Sequence, residues 1–401
     1  MLPRVKINFT NGALGSVTPS ADCVVGMVVT GVDVTGSDKL TTGNVYILKK
    51  FDDLTALGVT ENNNAFLYKH VREFYQQGGD GQELWLMVVP QTVKPSAALD
   101  KTNAYAKKMV QVANGRIRVL AVAYQPATDE EATLVNGLDS DVTTALVKGQ
   151  ELAEWATTQL FAPLFVVLAA HGYKKANLTS LPDLTEMSYN RVGLLIGDTV
   201  SGSDGAAIGL LAGRIAECPV HRSIARVKDG ALMVDSIYID DEDPAIADVE
   251  TIHDKGYITF RCLTGKSGYF FTDDPLACGI SDDYRAIARR RTVDKAYRIM
   301  YATMLEYLND EVPMTNDGYL VPSLVKSWEQ NVVSAIANQM TANGELGTDP
   351  NDSTDKGVLC TIDPQQNIVA TSTIKVVAKV KPYGYAKYID VELGFQTITE
   401  D

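Results

Sequence analysis

Continuous apolar runs recur along the first half of the chain and are separated by segments with helical periodicity. Such runs predict strands buried on both faces, and they occupy residues 23–29, 45–48, 84–89, 117–123, 164–169 and 192–196. Apolar residues at three- and four-residue spacing predict the intervening helices over 65–77, 102–112, 141–160 and 206–217. Because strands alternate with helices, we expect an α/β domain over residues 21–218 with an at least partly parallel sheet.

The pattern changes after Pro219. Strands are predicted at 236–239 and 257–261, long helices at 283–309 and 324–342, and a polar loop at 345–357. We therefore expect a second subdomain over residues 219–385 that contains the long helices. The fold class expected for the whole chain is mixed α/β (α+β).

Both ends of the chain carry the period-two pattern of a strand. The N-terminal pattern comprises Arg4, Val5, Lys6, Ile7 and Phe9. After an alternating strand over 374–380, the C-terminal pattern comprises Ile389, Asp390, Val391, Glu392, Leu393 and Phe395. Flexible sequence adjoins both patterns, so residues 1–20 and 386–401 are predicted to be extended arms.

The polar faces of the two arms have opposite charge. Arg4 and Lys6 lie on the N-terminal strand, whereas Asp390 and Glu392 lie on the C-terminal one. Opposite charges on adjacent strands favour pairing by roughly 0.2–1 kcal/mol per pair, and an added strand bonds to a neighbour without a preformed pocket. We therefore predict that both arms link subunits, with pairing inside their own subunit as the alternative.

Composition narrows the class of protein. The chain has 401 residues, 45% of them apolar, which is enough for two or more domains with a large core. A formal net charge of −14 disfavours nucleic-acid binding. The sequence has neither an apolar run of membrane-spanning length nor a signal-peptide pattern, so we expect no membrane insertion and a cytoplasmic protein. The five scattered cysteines are expected to be reduced thiols.

The sequence resembles a nucleotide-binding motif only superficially. The segment 260–267 (FRCLTGKS) has Phe260 where a phosphate-binding loop needs glycine. Gly205, Gly209 and Gly213 have helical spacing, which indicates close helix packing and not a dinucleotide fingerprint. We therefore expect no bound nucleotide or other cofactor.

Two further segments have residues that could carry chemistry. His171 follows an apolar strand, where α/β enzymes place catalytic groups, but a histidine at a strand end is more often structural. The acidic run 240–243 lacks the spacing of a calcium loop and is expected to be a solvated turn. We therefore expect no catalytic residue and no bound metal.

Four segments, taken in order, resemble the tail sheath family of contractile phages, which is related to the sheaths of pyocins and other contractile injection systems. In the first, a strand ending in glycine leads to a short Phe/Leu–Gly segment and a helix ending in paired glycines. The second leads into an Arg-x-x-Asp-Lys helix, the third is a turn, and the fourth is the terminal pair of strands. They span 24–89 (VVGMVVTG to LWLMVV), 268–296 (GYFFTDD to RTVDKA), 316–319 (NDGY) and 374–395. The chain is similar to short sheath-like proteins of prophages in Bacteroides-type bacteria.

The resemblance implies a structural protein and not an enzyme. Sheath subunits stack as rings around an inner tube, their terminal arms add strands to a small sheet in neighbours, and contraction drives the tube through a target envelope. The implied partners are further copies of the chain, a tail tube protein, and baseplate and tail terminator proteins. Assembly is expected in the host cytoplasm, and the product is a virion tail or injection-system sheath. The alternatives are an α/β enzyme or nucleotide-binding module, and another self-assembling protein such as a shell or capsid protein.

The densest basic cluster opens the helix predicted over 283–309. It contains Arg285, Arg289, Arg290 and Arg291. A sheath must slide along its tube during contraction, and screened charge pairs worth roughly 0–1 kcal/mol each are weak enough to allow this. These arginines are therefore a candidate contact with an acidic tube. Pairing with the protein's own carboxylates is the alternative, and the polar side of the helix over 324–342 is the rival tube-facing surface.

Overall fold

A six-stranded sheet organises the first part of the computed structural model, which describes residues 21–127 and 132–395. Short helical turns at Ala21–Cys23, Lys175–Ser180, Leu184–Glu186 and Val227–Asp229 connect the longer elements. The strands are β1 (Val25–Thr30), β2 (Val45–Leu48), β3 (Leu84–Val89), β4 (Val119–Ala123), β5 (Leu134–Val135), β6 (Leu138–Asp139), β7 (Phe165–Ala169), β8 (Ser188–Tyr189), β9 (Val192–Leu195), β10 (Phe260–Cys262), β11 (Tyr269–Phe271) and β12 (Ala277–Cys278). The helices are α1 (Phe51–Ala56), α2 (Ala65–Gly78), α3 (Pro95–Leu99), α4 (Ala106–Val112), α5 (Ser140–Gln159), α6 (Ile208–Glu217), α7 (Val249–Asp254) and α8 (Ile287–Leu305).

The sheet has the strand order β2–β3–β1–β4–β7–β9. Strand β2 pairs antiparallel with β3, and the other pairings are parallel. The parallel part confirms the α/β prediction for this region. The chain leaves β1 towards β3 and then crosses to β4, so the strand order reverses beside β1. In open α/β sheets, the carboxyl end of such a reversal is where a crevice forms.

Two layers of helices cover the sheet. Successive residues of a strand point to opposite faces, and Met27 and Val28 accordingly belong to two different hydrophobic clusters. Helices α2 and α6 contribute to the cluster that contains Met27, and α4 and α5 to the one that contains Val28. Burial on both faces explains why these strands read as continuous apolar runs.

Helices α2 and α6 approach each other closely because α6 carries glycines at the contact. A Cβ atom at Gly209 would lie 2.0 Å from the carbonyl oxygen of His70, and one at Gly213 would lie 2.6 Å from that of Phe74. No larger residue fits at such distances. The prediction of close helix packing is confirmed for these two glycines, whereas Gly205 precedes the helix.

The chain divides into two compact units between Asp310 and Glu311. The sequence had placed a boundary after residue 218, but residues beyond it complete the same core as β1. Ile237, Phe260 and Ile287 all belong to the hydrophobic cluster that contains Met27. The change in pattern after Pro219 therefore marks the end of the regular strand–helix alternation and not the end of the first unit.

The second unit consists of a helix and a small sheet. Helix α9 (Pro322–Ile336) continues into a π-helical turn over Ala337–Thr341. Strands β13 (Val358–Ile362) and β14 (Val376–Val380) form an antiparallel pair, with α10 (Ile368–Thr371) between them. Helix α9 packs against β13 and buries Val325, Trp328 and Val332.

Several predicted elements differ from the structure. No strand was predicted at β13, and it is this strand that pairs with β14. The C-terminal pattern over 389–395 forms no strand within the chain. Residues 236–239 contribute only isolated bridges, between Tyr238 and Asp198 and between Ile239 and Glu242. Within residues 21–127 and 132–395, no helix is long and apolar enough to cross a membrane.

Candidate functional site

The C-terminal segment presents an unpartnered apolar face. The side chains of Ile389, Val391, Leu393 and Phe395 alternate along an extended stretch, and all four are exposed, Ile389 by 75% and Phe395 by 103%. Asp390 and Glu392 occupy the other side and are also exposed. Contiguous exposed apolar side chains of this kind are typical of interaction sites.

The sheet of β13 and β14 is a candidate acceptor for an added strand. Cys360 and Ile362 are buried, whereas Leu359 and Val377 on the other face are 57% and 52% exposed. The N–H group of Ile362 donates to Oε1 of Glu329 at 2.8 Å, which ties the sheet to α9. A two-stranded sheet alone is only marginally stable in water. Additional strands would extend its backbone hydrogen bonding.

The linker from the acceptor sheet to the C-terminal segment is long. Residues 381–388 separate β14 from the segment, and they form neither helix nor strand. Eight fully extended residues span at most about 26–29 Å. Arg4, Val5, Lys6, Ile7 and Phe9, the predicted N-terminal connector, lie outside the described residues.

Two of the four arginines in the candidate tube contact, Arg290 and Arg291, are buried. Arg290 is buried, donates to Oδ1 of Asp294 at 2.7 Å and lies 4.3 Å from the ring centroid of Tyr284. Arg291 is buried and donates to the carbonyl oxygen of Cys218 at 2.9 Å. Only Arg285 and Arg289 are partly accessible. The two buried arginines hold α8 against the rest of the first unit and are not available to a partner.

The outer side of α9 remains as the rival tube-facing surface. Its exposed residues are almost all uncharged and polar, and Lys326 is the exposed charge among them. The ammonium group of Lys326 lies 2.6 Å from Oε2 of Glu329, which is itself buried. The other exposed polar residues are Ser323, Ser327, Gln330, Asn331, Asn338 and Gln339.

A cleft of about 1180 Å³ lies where the parallel strands end at their carboxyl side. Tyr124, His171 and Asp198, which follow β4, β7 and β9, line it. His171 is 4% exposed, its ring lies edge-on to Tyr124, and its Nδ1 atom has no hydrogen-bond partner within the described part of the chain. Burial lowers the pKa of His171, so the imidazole is neutral at pH 7.

The charged groups of this cleft pair with one another. The Lys69 ammonium lies 2.5 Å from Asp198 and 3.1 Å from Glu73, and the Thr199 hydroxyl donates to Glu73 at 2.5 Å. Burial raises the pKa of Glu73, but the His70 ring 3.6 Å away, the charge of Lys69 and the hydrogen bond from Thr199 outweigh it and lower this pKa to about 2. A carboxylate held ionised in this way is a poor general base at neutral pH. The network is suited to joining α2 to the end of β9.

The two other sequence candidates occupy surface turns. The Gly-Lys-Ser segment forms the turn between β10 and β11, so it leads into a strand and not into the helix that a phosphate-binding loop requires. In the acidic run, Asp240 pairs with Lys174 at 3.1 Å and Asp241 with Lys175 at 2.8 Å. Among residues 21–127 and 132–395 there is no group of three or more potential ligands that could hold a metal ion.

Comparisons with known proteins cover nearly the whole chain. Family models named DUF2586, N-terminal domain, and DUF2586, C-terminal domain, match residues 2–275 and 283–399. No curated protein sequence matches the chain.

Solved structures with a similar fold come from contractile assemblies. A chain of the anti-feeding prophage baseplate in its contracted state is 15% identical with a TM-score of 0.64, and the match covers 98% of both chains. A chain of the sheath complex of the PVC extracellular contractile injection system, in the contracted state, is 15% identical with a TM-score of 0.61; the match covers 98% of this chain and 97% of that one. The sheath tail protein of Desulfitobacterium hafniense is 12% identical with a TM-score of 0.50, over 95% of this chain and 100% of that one. The likeness therefore extends over both units and not over one domain alone.

Proposed function

Because the chain belongs to the DUF2586 family and has the fold of the sheath chains just described, we propose that it is the structural subunit of a contractile sheath. Copies of the chain polymerise around an inner tube, and a change in their packing drives the tube through a target cell envelope. The observation that carries this proposal is the match over 98% of the chain to the PVC sheath complex. Such a protein works through the free energy of packing and needs neither a cofactor nor a catalytic residue.

The C-terminal segment links the copies by strand addition. In this proposal, residues 389–395 of one subunit pair with the edge of the β13–β14 sheet of a neighbour. The alternating apolar side chains, exposed in the single subunit, become buried on one face of the enlarged sheet. Backbone hydrogen bonds supply affinity in this mode of recognition, and alternate side chains supply register. The linker over 381–388 lets the link persist while the subunit bodies move.

The N-terminal arm provides the second link. Its polar face carries Arg4 and Lys6, whereas that of the C-terminal segment carries Asp390 and Glu392. Strands with these charges attract each other when they lie side by side on one acceptor sheet. We therefore place both arms, from different subunits, on the same enlarged sheet.

The outer side of α9 faces the tube in the assembled sheath. The burial of Arg290 and Arg291 supports this choice over α8. An uncharged polar surface forms few strong contacts, so a subunit can move along it during contraction. The remaining partners are baseplate and tail terminator proteins at the two ends, and the sheath assembles in the cytoplasm of the bacterial host.

Electron microscopy of the purified full chain tests the proposal. We expect tubes or rings, and we expect a variant lacking residues 393–401 to stay folded and monomeric. Circular dichroism with thermal unfolding checks the fold of the truncated chain. Normal tubes from the truncated chain would show that the C-terminal segment is not the connector. A stoichiometric nucleotide or metal in native mass spectrometry would instead favour an enzyme.

A further inference from the structure

The last turns of α8 and the turn that follows carry an apolar strip. Tyr301, Leu305 and Leu308 are spaced by four and three residues, so they lie on one side of the helix. Leu305 is 44% exposed and Leu308 is 69% exposed, and none of the described residues of α8 after Ile299 is buried. A helix in a folded protein normally packs such a side, because tertiary packing supplies most of its stability. We call Tyr301, Leu305 and Leu308 the α8 strip.

An aromatic stack borders the α8 strip. The rings of Phe161 and Tyr301 stack with centroids 4.8 Å apart, and Phe161 is itself 45% exposed. Phe161 has a φ of +53°, a conformation that residues other than glycine rarely adopt and that is concentrated at functional positions. The hydroxyl group of Tyr297 donates to the carbonyl oxygen of Thr157 at 3.3 Å and so ties α8 to the end of α5. The strip and the stack share Tyr301 and therefore form one apolar surface on rigid elements.

The described part of the chain begins beside this surface. The carboxylate of Asp22 contacts the side chains of Lys295 and Arg298, each at 2.7 Å. Arg298 precedes Tyr301 by three residues and Leu305 by seven, so the three lie on the same side of α8. Seven residues of an α-helix rise about 10 Å. The segment that precedes Asp22 therefore joins the folded chain at one end of the α8 strip.

This segment has the composition and the length to cover the surface. Residues 10–20, which lie outside the described residues, contain no charged side chain, although 21% of the whole chain is charged. Their aliphatic side chains larger than alanine are Leu14 and Val17. The eight residue steps from Leu14 to Asp22 can span at most about 26–29 Å, which is more than the rise along α8 to Leu305.

We propose that residues 10–20 dock on the α8 strip of their own subunit and place Leu14 and Val17 against Leu305 and Phe161. Covalent continuity with Asp22 selects this segment over a separate molecule. A short tether holds a segment near its site at an effective concentration in the millimolar range, which a free partner does not reach in dilute solution.

The docked segment fixes the direction in which residues 4–9 leave the subunit. This consequence rests on the sheath function proposed above, in which the N-terminal strand joins the sheet of a neighbour, whereas the docking itself takes place within one subunit. An arm that is already ordered along part of its length loses less conformational entropy when it binds. The α8 strip therefore strengthens a link between subunits without contacting the neighbour.

A thiol placed on the strip reports whether the segment covers it. The reporter is Leu305→Cys in the full chain, combined with Cys262→Ser, because Cys262 is exposed and the other native cysteines are buried. Leu14→Ser together with Val17→Ser should raise the rate at which a thiol reagent labels the reporter about tenfold in dilute solution, because the reporter then spends more time uncovered.

The matched control is Val5→Ser together with Ile7→Ser. It removes the same kind of side chain from the same arm, but outside residues 10–20, and should leave the labelling rate unchanged. Circular dichroism confirms that each variant is folded. The docking is rejected if both double variants label the reporter at the rate of the unaltered arm, or if both raise that rate equally. It is also rejected if the reporter is protected only at high protein concentration, because a second copy would then cover the strip.

Sedimentation of the full chain separates this proposal from the sheath function. If the unaltered chain forms no polymers, the sheath function fails, but the labelling rates still decide whether the segment docks. If polymers form, Leu14→Ser together with Val17→Ser should raise the critical concentration for assembly. An unchanged critical concentration would show that the docked segment does not direct the arm.

Discussion

Replacing Leu393 by alanine should weaken assembly without affecting the fold. The Leu393 side chain is 96% exposed in the subunit, so its removal costs the isolated chain almost nothing. If strand addition buries it fully, the lost apolar burial comes to about 2 kcal/mol per link, at roughly 0.8 kcal/mol per buried methylene. A loss of that size weakens each link about 30-fold.

The assay compares the critical concentration for polymer formation with the unfolding temperature of the unassembled subunit. Leu393→Ala should raise the first and leave the second unchanged. Ile246→Ala is the matched control, because Ile246 is 76% exposed and belongs to the first unit, outside the C-terminal segment. The reasoning fails if the two variants assemble equally well, or if Leu393→Ala lowers the unfolding temperature.

Three further outcomes follow from the described contacts. The pKa of Glu73 in the folded chain is about 2, so its ionised form stabilises the first unit above about pH 4.5, and this contribution disappears as the pH falls towards 2. In the Glu73→Gln variant, the unfolding temperature measured by circular dichroism should therefore fall less steeply as the pH is lowered. Gly209→Ala should lower the free energy of unfolding of the first unit by several kcal/mol in a denaturant titration, because the added Cβ would meet the carbonyl oxygen of His70. The control Gly384→Ala should have no such effect, because a Cβ atom there has open space around it. The double variant Gln330→Glu and Asn338→Asp should alter the salt dependence of sheath assembly around its tube. Arg290→Lys should change only the unfolding temperature of the subunit. If instead Arg290→Lys alters assembly and the double variant does not, α8 and not α9 contacts the tube.

Sequence patterns predicted the central sheet well for a physical reason. Strands β1, β3 and β4 are buried on both faces, so every position must be apolar and the run is visible without knowledge of the partner strands. The alternation of the C-terminal segment is also visible in the sequence alone, but the segment forms no strand within the chain, and its pairing with a neighbour stays a prediction. Strand β13, which belongs to the proposed acceptor sheet, was missed because only Cys360 and Ile362 of that strand are buried, and its pairing with β14 spans a long connection.

The tertiary structure decided which charged residues are available to partners. In the sequence, Arg290 and Arg291 are indistinguishable from the accessible Arg289, since all three lie in one basic run. Arg291 is buried because the carbonyl of Cys218, distant along the chain, lies beside it, and Arg290 because Tyr284 and Asp294 enclose it. The ion pair of Arg191 with Asp294 at 3.1 Å likewise joins the start of β9 to α8. Such groups come into contact only when the chain folds and the sheet brings the strand ends together. Local sequence therefore determines where the strands form, whereas long-range packing determines which charged side chains are exposed.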